Sequence, residues 1–165
     1  MLFVATSSSH ALDVPQLQGH VNDYARMLSP DASARVESAL QEFESKESTQ
    51  IVVLTLPSLE GETMEEFSIR VAEAWKLGHK GVDNGVILLL AQKERKIRIE
   101  VGRGLEGRLT DLTSGRIIRG EIAPRLRSGD ADGAISAGVA ALMEVVKGEA
   151  GAKPDLRQGK KSISP

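Results

Sequence analysis

Two seven-residue stretches constrain this chain more than anything else in it. Gln50–Leu56 (QIVVLTL) and Gly85–Ala91 (GVILLLA) are apolar at successive positions, without the alternation of a half-exposed strand. A strand that is apolar on both sides must be covered on both sides. Two such strands in 165 residues predict one α/β domain with helices on each face of a small sheet. The second strand is followed by a four-residue polar turn and then by Lys96–Val101, where Ile97, Ile99 and Val101 alternate with Arg98 and Glu100. So short a connection predicts an antiparallel hairpin, which sets Gly85 roughly opposite Val101 and makes the sheet mixed.

The helices announce themselves by their starts. Ser29-Pro30-Asp31 combines a cap, a first-position proline and a first-turn acid, followed by Val36, Leu40 and Phe43 at helical spacing. Thr63 and Glu66 form a capping-box pattern ahead of Phe67, Val71 and Trp75. Residues 109–126 suggest a helix with Leu112, Ile118, Ile122 and Leu126 inside and Pro124 kinking or closing it. Asp130 caps a last helix with Ile135, Val139, Leu142 and Val146 inward. Residues 12–24 are expected as an extended lead-in. The expected architecture is a three-layer α/β/α sandwich over residues 12–148, with a Gly/Lys/Pro/Ser-rich and disordered tail over 149–165.

Bulk properties exclude several functions. The net charge of −2 exerts no global pull toward nucleic acid, and one Trp, one Tyr and three Phe offer little surface for base stacking. Without cysteine there is no disulfide framework, thiolate metal site or cysteine nucleophile. Residues 1–11 run apolar, then small and polar, ending in Ser9-His10-Ala11, which resembles a signal-peptidase site. They read as the remnant of a signal peptide and predict an exported, periplasmic or secreted protein. No segment reaches the roughly 18 apolar residues of a membrane span.

Residues 102–107 (GRGLEG) match G-x-G-x-x-G, yet they follow a hairpin strand rather than opening a βαβ unit, so neither NAD nor FAD is expected. The glycines imply a tight exit from the strand or close backbone approach to a bound group. Asp130 and Asp132 lack the buried strand of an aspartate phosphatase and the twelfth-position glutamate of an EF-hand, where Ala141 stands; they are helix-start acids. His10, His20 and His79 form no metal or hydrolase pattern, and His79 is expected in solvent.

Carboxylates at chain turns remain. Asp83-Asn84 begins a buried strand, and the hairpin brings it to the sheet edge that holds Glu100 and residues 101–104. Asp23 lies in the lead-in and Glu106 in the glycine loop. Oxygen ligands without His or Cys suit Ca²⁺ or Mg²⁺. Turn chemistry and a surface Arg98/Glu100 pair account for the same residues, so spacing leaves both readings open.

The same positions carry a family likeness. Val21-Asn-Asp-Tyr-Ala25 with Leu28-Ser-Pro30, Gly78-x-x-Gly81-x-Asp83-Asn84-Gly85-Val86, Arg98-Ile-Glu-Val-Gly102-x-Gly104-Leu-Glu-Gly107 and Gly115-Arg-Ile-Ile118 together resemble the TPM family, in order, over residues 14–147. Members include exported or membrane-anchored bacterial proteins and thylakoid-lumen proteins linked to photosystem II repair. The resemblance implies a Rossmann-like sandwich, divalent-metal binding and a proposed acid phosphatase activity. It implies Asp23, Asp83, Asn84 and Glu100 as metal ligands, with Asp23, Asp83 and Glu100 also the catalytic candidates. Gly102, Arg103 and Gly104 would line a phosphate site, and Arg103 stands where the family often has an aromatic residue. Two functions follow: a Ca²⁺-binding, monomeric assembly or quality-control module docking on an envelope protein or membrane complex, or a metal-assisted phosphomonoesterase.

Overall fold

The computed structural model describes residues 10–148. The leader remnant, apart from His10 and Ala11, and the 149–165 tail lie outside the described residues. In chain order the elements are β1 (Val21–Asp23), α1 (Pro30–Glu47), β2 (Gln50–Leu56), α2 (Met64–Trp75), β3 (Gly85–Ala91), β4 (Lys96–Val101), a 3-10 turn at Arg103–Leu105, α3 (Asp111–Ile117), a π turn at Ile118–Ile122, α4 (Ala123–Arg127) and α5 (Ala131–Lys147). The sheet runs β1-β2-β3-β4. β1 and β3 flank β2 in parallel, and β4 is antiparallel to β3 with Val86 opposite Val101, one residue from the expected register.

The apolar strands divide their residues between two cores. Ile51, Val53, Val86, Leu88 and Leu90 pack under α1, α5 and the α3–α4 arm. Val52, Leu54, Ile87 and Leu89 pack under Phe67 and Val71 of α2, with Leu12 and Val14 of the lead-in beside them. Each such side chain contributes about 1.5–3 kcal/mol by leaving water. This is the expected three-layer sandwich. The steps from β1 to β2 and from β2 to β3 go the same way across the sheet, yet α1 and α2 cover opposite faces. The two crossovers therefore have opposite hands, and one departs from the right-handed rule.

The predicted caps hold. Ser29, Thr63 and Asp130 accept from the backbone N–H groups of Ala32, Glu66 and Gly133. Asp132 does more than sit in a first turn: its carboxylate accepts from the Ser29 N–H at 2.8 Å and hydroxyl at 2.6 Å, tying the starts of α1 and α5 together. Those two hydrogen bonds hold the Asp132 carboxyl below its ordinary value. No described helix is long and apolar enough to cross a membrane.

Two expectations need correction. The 109–126 helix is three segments, because Pro124 has no N–H to give and its ring crowds the preceding turn. The chain widens into a π turn, closed by the Ala123 N–H on the Ile118 carbonyl. Leu112 is 60% exposed rather than inward. Six residues separate Leu112 from Ile118, which places them on different helix faces; Ser114 and Ile117 take the inner position.

The lead-in also holds a strand. β1 has only three residues, and its central Asn22 is buried, donating to the Gly19 and Val53 carbonyls and accepting from the Gln18 N–H. Its start is clamped from α1. The Glu37 carboxylate accepts from the backbone N–H groups of His20 and Val21 and meets the His20 ring at 3.0 Å, while Glu44 meets the other ring nitrogen at 2.5 Å. Burial pushes the Glu37 carboxyl up, but the hydrogen bonds from His20 and Val21 outweigh burial and hold it below 4.5. A carboxylate with a lowered folded pKa stabilises above its unfolded pKa, and that contribution disappears as pH falls through the folded value. Glu37→Gln should therefore lower stability by about 1 kcal/mol at pH 5.5. In thermal melts the gap to wild type should close progressively below about pH 4.5.

Candidate functional site

The two groups of predicted site residues lie at opposite ends of the sheet. Asp83 and Asn84 precede β3, whose first residue, Gly85, pairs with Gln50 at the start of β2. Asp23 ends β1 opposite Thr55, which is opposite Leu90 near the far end of β3. Five residues of strand separate Gly85 from Leu90, roughly 17 Å at about 3.3 Å per residue. The structure thus brings Asp83 and Glu100 toward one end, as the hairpin predicts, and leaves Asp23 at the other.

Each side chain has a distinct local job. Asp23 holds the turn into α1: its oxygens accept from the Met27 N–H at 2.9 Å, the Leu28 N–H at 3.0 Å and the Thr55 hydroxyl at 2.6 Å. Thr55 in turn accepts from the Ala25 N–H, closing the turn on both sides. Glu100 lies opposite Ile87 on the α2 face, and one of its oxygens accepts from Ser68 at 2.9 Å and from Arg98 at 2.8 Å. Asn84 is buried, accepting from the His79 N–H and donating to the Ser48 carbonyl. Asp83 differs. It sits exposed at a positive φ of 50°, and its carboxylate has no partner among the described residues.

The glycines of the 102–107 loop approach this same chain closely. Gly102 and Gly104 donate their N–H groups to the carbonyls of Gly85 and Asp83. A Cβ on Gly102 would lie 2.1 Å from the Asp83 oxygen, and one on Gly104 would lie 2.0 Å from the Val82 oxygen. Loops 78–84 and 102–107 are therefore packed backbone to backbone, and the side chains of Val82, Asp83 and Arg103 are left outward. Among the described residues no group of three or more His, Asp or Glu side chains is placed to hold a metal ion.

The order β1-α1-β2-α2-β3-β4 and these loops can be set beside known proteins. The model of the TPM domain matches residues 21–145. This chain belongs to the TPM-domain family. A solution NMR structure of the N-terminal domain of a protein from P. gingivalis is 34% identical, with a TM-score of 0.72 over 78% of this chain and 82% of that one. The N-terminal domain of the cg2496 protein from Corynebacterium glutamicum is 21% identical, with a TM-score of 0.59 over 95% of each chain. The BA42 protein of the psychrophilic bacterium Bizionia argentinensis is 16% identical, with a TM-score of 0.64 over 74% of this chain and 83% of that one. The last two likenesses concern the fold alone. No curated protein matches the chain.

Within this TPM domain, sequence reasoning missed the His20–Glu37–Glu44 cluster. The available signal was the seven-residue spacing of Glu37 and Glu44, which puts both on one face of α1. Its partner, His20, was hidden in what looked like a loop. The packing of the two glycine loops yields a paired test. Gly102 has a φ of −65°, which any residue adopts, so Gly102→Ala suffers only from the collision and should lose about 2–3 kcal/mol. Gly107 has open space around it, and Gly107→Ala should be neutral or up to about 1 kcal/mol more stable. Urea denaturation of the two variants measures both.

Proposed function

We propose that this TPM domain is an exported binding module that takes a divalent cation weakly at Asp83 and docks by that end on an envelope protein or membrane complex. The observation that carries the reading is that, of the three predicted carboxylates, Asp83 alone is unpartnered among the described residues, whereas Asp23 and Glu100 are engaged by their own chain. The Ser9-His10-Ala11 leader pattern supports export. One carboxylate helped by loop carbonyls and water suits the flexible coordination of Ca²⁺ better than the strict octahedron of Mg²⁺. Such a site belongs in the range of about 10⁻⁴–10⁻³ M.

A second reading is favoured by Arg103. It is exposed, and its neighbour Gly104 bonds to the Asp83 carbonyl, so a cation at Asp83 and a guanidinium at position 103 lie on adjacent chain segments. Arginine pairs well with phosphate, and a cation polarises a phosphoryl oxygen. Phosphomonoester hydrolysis at this end would use Asp83 and Arg103, not Asp23.

The test is a Ca²⁺ titration followed by amide shifts. Shifts should cluster on residues 82–85 and 102–104 and vanish in Asp83→Asn. Asp23→Asn should lose about 1–2 kcal/mol of stability by presenting a donor to backbone donors, yet keep the shifts. Loss of binding in a folded Asp23→Asn protein would sink the Asp83 assignment. Absence of turnover of a generic phosphate ester with Ca²⁺ or Mg²⁺ would remove the second reading.

A further inference from the structure

The two edges of the sheet are finished differently. At β1 the strand is three residues long, and its outward Val21 N–H is taken by the Glu37 carboxylate. β4 is six residues long, with no proline, and its neighbours are chiefly β3 and α2. The Gly102 N–H bonds to the Gly85 carbonyl, and Gly85 faces position 102 in the antiparallel register. That fixes the parity of the ladder: Lys96, Arg98 and Glu100 turn their backbone groups to β3, while Ile97, Ile99 and Val101 turn theirs outward. Among the described residues nothing bonds to those outward groups beyond the strand ladder itself. An unpaired edge of this kind is a template for another strand.

The sequence of β4 says which strand. An antiparallel copy placed with its two-fold axis at Ile99 sets Ile99 against Ile99 and Ile97 against Val101, all positions whose backbone groups face outward. Each would exchange both hydrogen bonds with its opposite number. The same register sets Arg98 of one copy against Glu100 of the other, twice, at the closer non-hydrogen-bonded positions. Arg98 and Glu100 already share one face, with Arg98 Nε 2.8 Å from Glu100 Oε2 and both side chains partly exposed, at 34% and 23%. Two copies would join these into a four-charge cluster beside α2. On the opposite face the contacts are aliphatic. A shift of the axis by one residue keeps the outward groups paired but sets Arg98 against Arg98, or Glu100 against Glu100, so the charges select the register centred on Ile99. We infer that this domain self-associates through β4, forming a continuous eight-stranded sheet across a two-fold axis at Ile99.

Sedimentation equilibrium up to millimolar concentration tests this in wild type and in Arg98→Glu and Glu100→Arg variants. Wild type should show a concentration-dependent dimer. Each variant alone faces like charges across the axis and should dimerise at least roughly 10-fold more weakly. An equimolar mixture of the two variants restores both opposite-charge pairs and should recover the dimer, which also shows that both are folded. Wild type that stays monomeric at millimolar concentration overturns the inference. So does a dimer that both variants form as well as wild type, or a mixture no more associated than its components.

Discussion

A strand with apolar side chains on both faces cannot be left against water on either, and β2 and β3 both have that character. Everything else in the domain is arranged to satisfy them. α1 and α5 cover one face, α2 and the lead-in the other, and the less apolar β1 and β4 are pushed to the edges. Because β1, β2 and β3 all run parallel, the end of β1 and the start of β3 lie at opposite ends of the sheet. The loops that carry Asp23 and Asp83 inherit that separation. The demand for cover on both faces also explains the unusual chirality, since placing α1 and α2 on opposite sides of strands that advance in one direction requires crossovers of opposite hand.

The glycine-rich segment after β4 shows how a ligand-like pattern arises from packing alone. Its spacing is that of a nucleotide loop, yet the backbone it lets approach is that of residues 82–85. The Gly102 and Gly104 N–H groups end on protein carbonyls rather than on a phosphate. What this packing leaves outside is a small set of side chains on a stiff support, and Asp83 and Arg103 belong to it. Asp83 takes a left-handed backbone, with φ of 50°, and is exposed.

Features set by a few neighbouring residues were legible in the sequence. The bounds of β2, β3 and β4, the caps at Ser29, Thr63 and Asp130, and the hairpin all depend on local periodicity or on a turn. β1 was not legible because three residues with a buried asparagine carry no strand signature; its stability comes from Asn22, Glu37 and Glu44, which no window around residue 22 contains together. Leu112 was misplaced by a six-residue step that fits no helix face. The motifs that group Asp23 with Asp83 lie in one order along the chain, but order along a chain carries no distance. Only the pairing of β1 with β2 reveals which end Asp23 occupies. The Ser68 hydroxyl on Glu100 was equally hidden, since helix and strand meet there through packing rather than through proximity in sequence.

The Asp132 carboxylate sits where two helices begin and bonds across 103 positions of chain to Ser29. Closing a loop that long has a large entropic cost, recovered only when α1 and α5 are already seated on the sheet. The contact therefore belongs to the final stage of assembly, after the β2–β3–β4 ladder and its nearby helices. By the same reasoning it is the first to part when the domain breathes. A solvent-exposed hydrogen bond between helix ends thus works as the latch of the structure, marking the seam along which the α1 and α5 layer would begin to lift from the sheet.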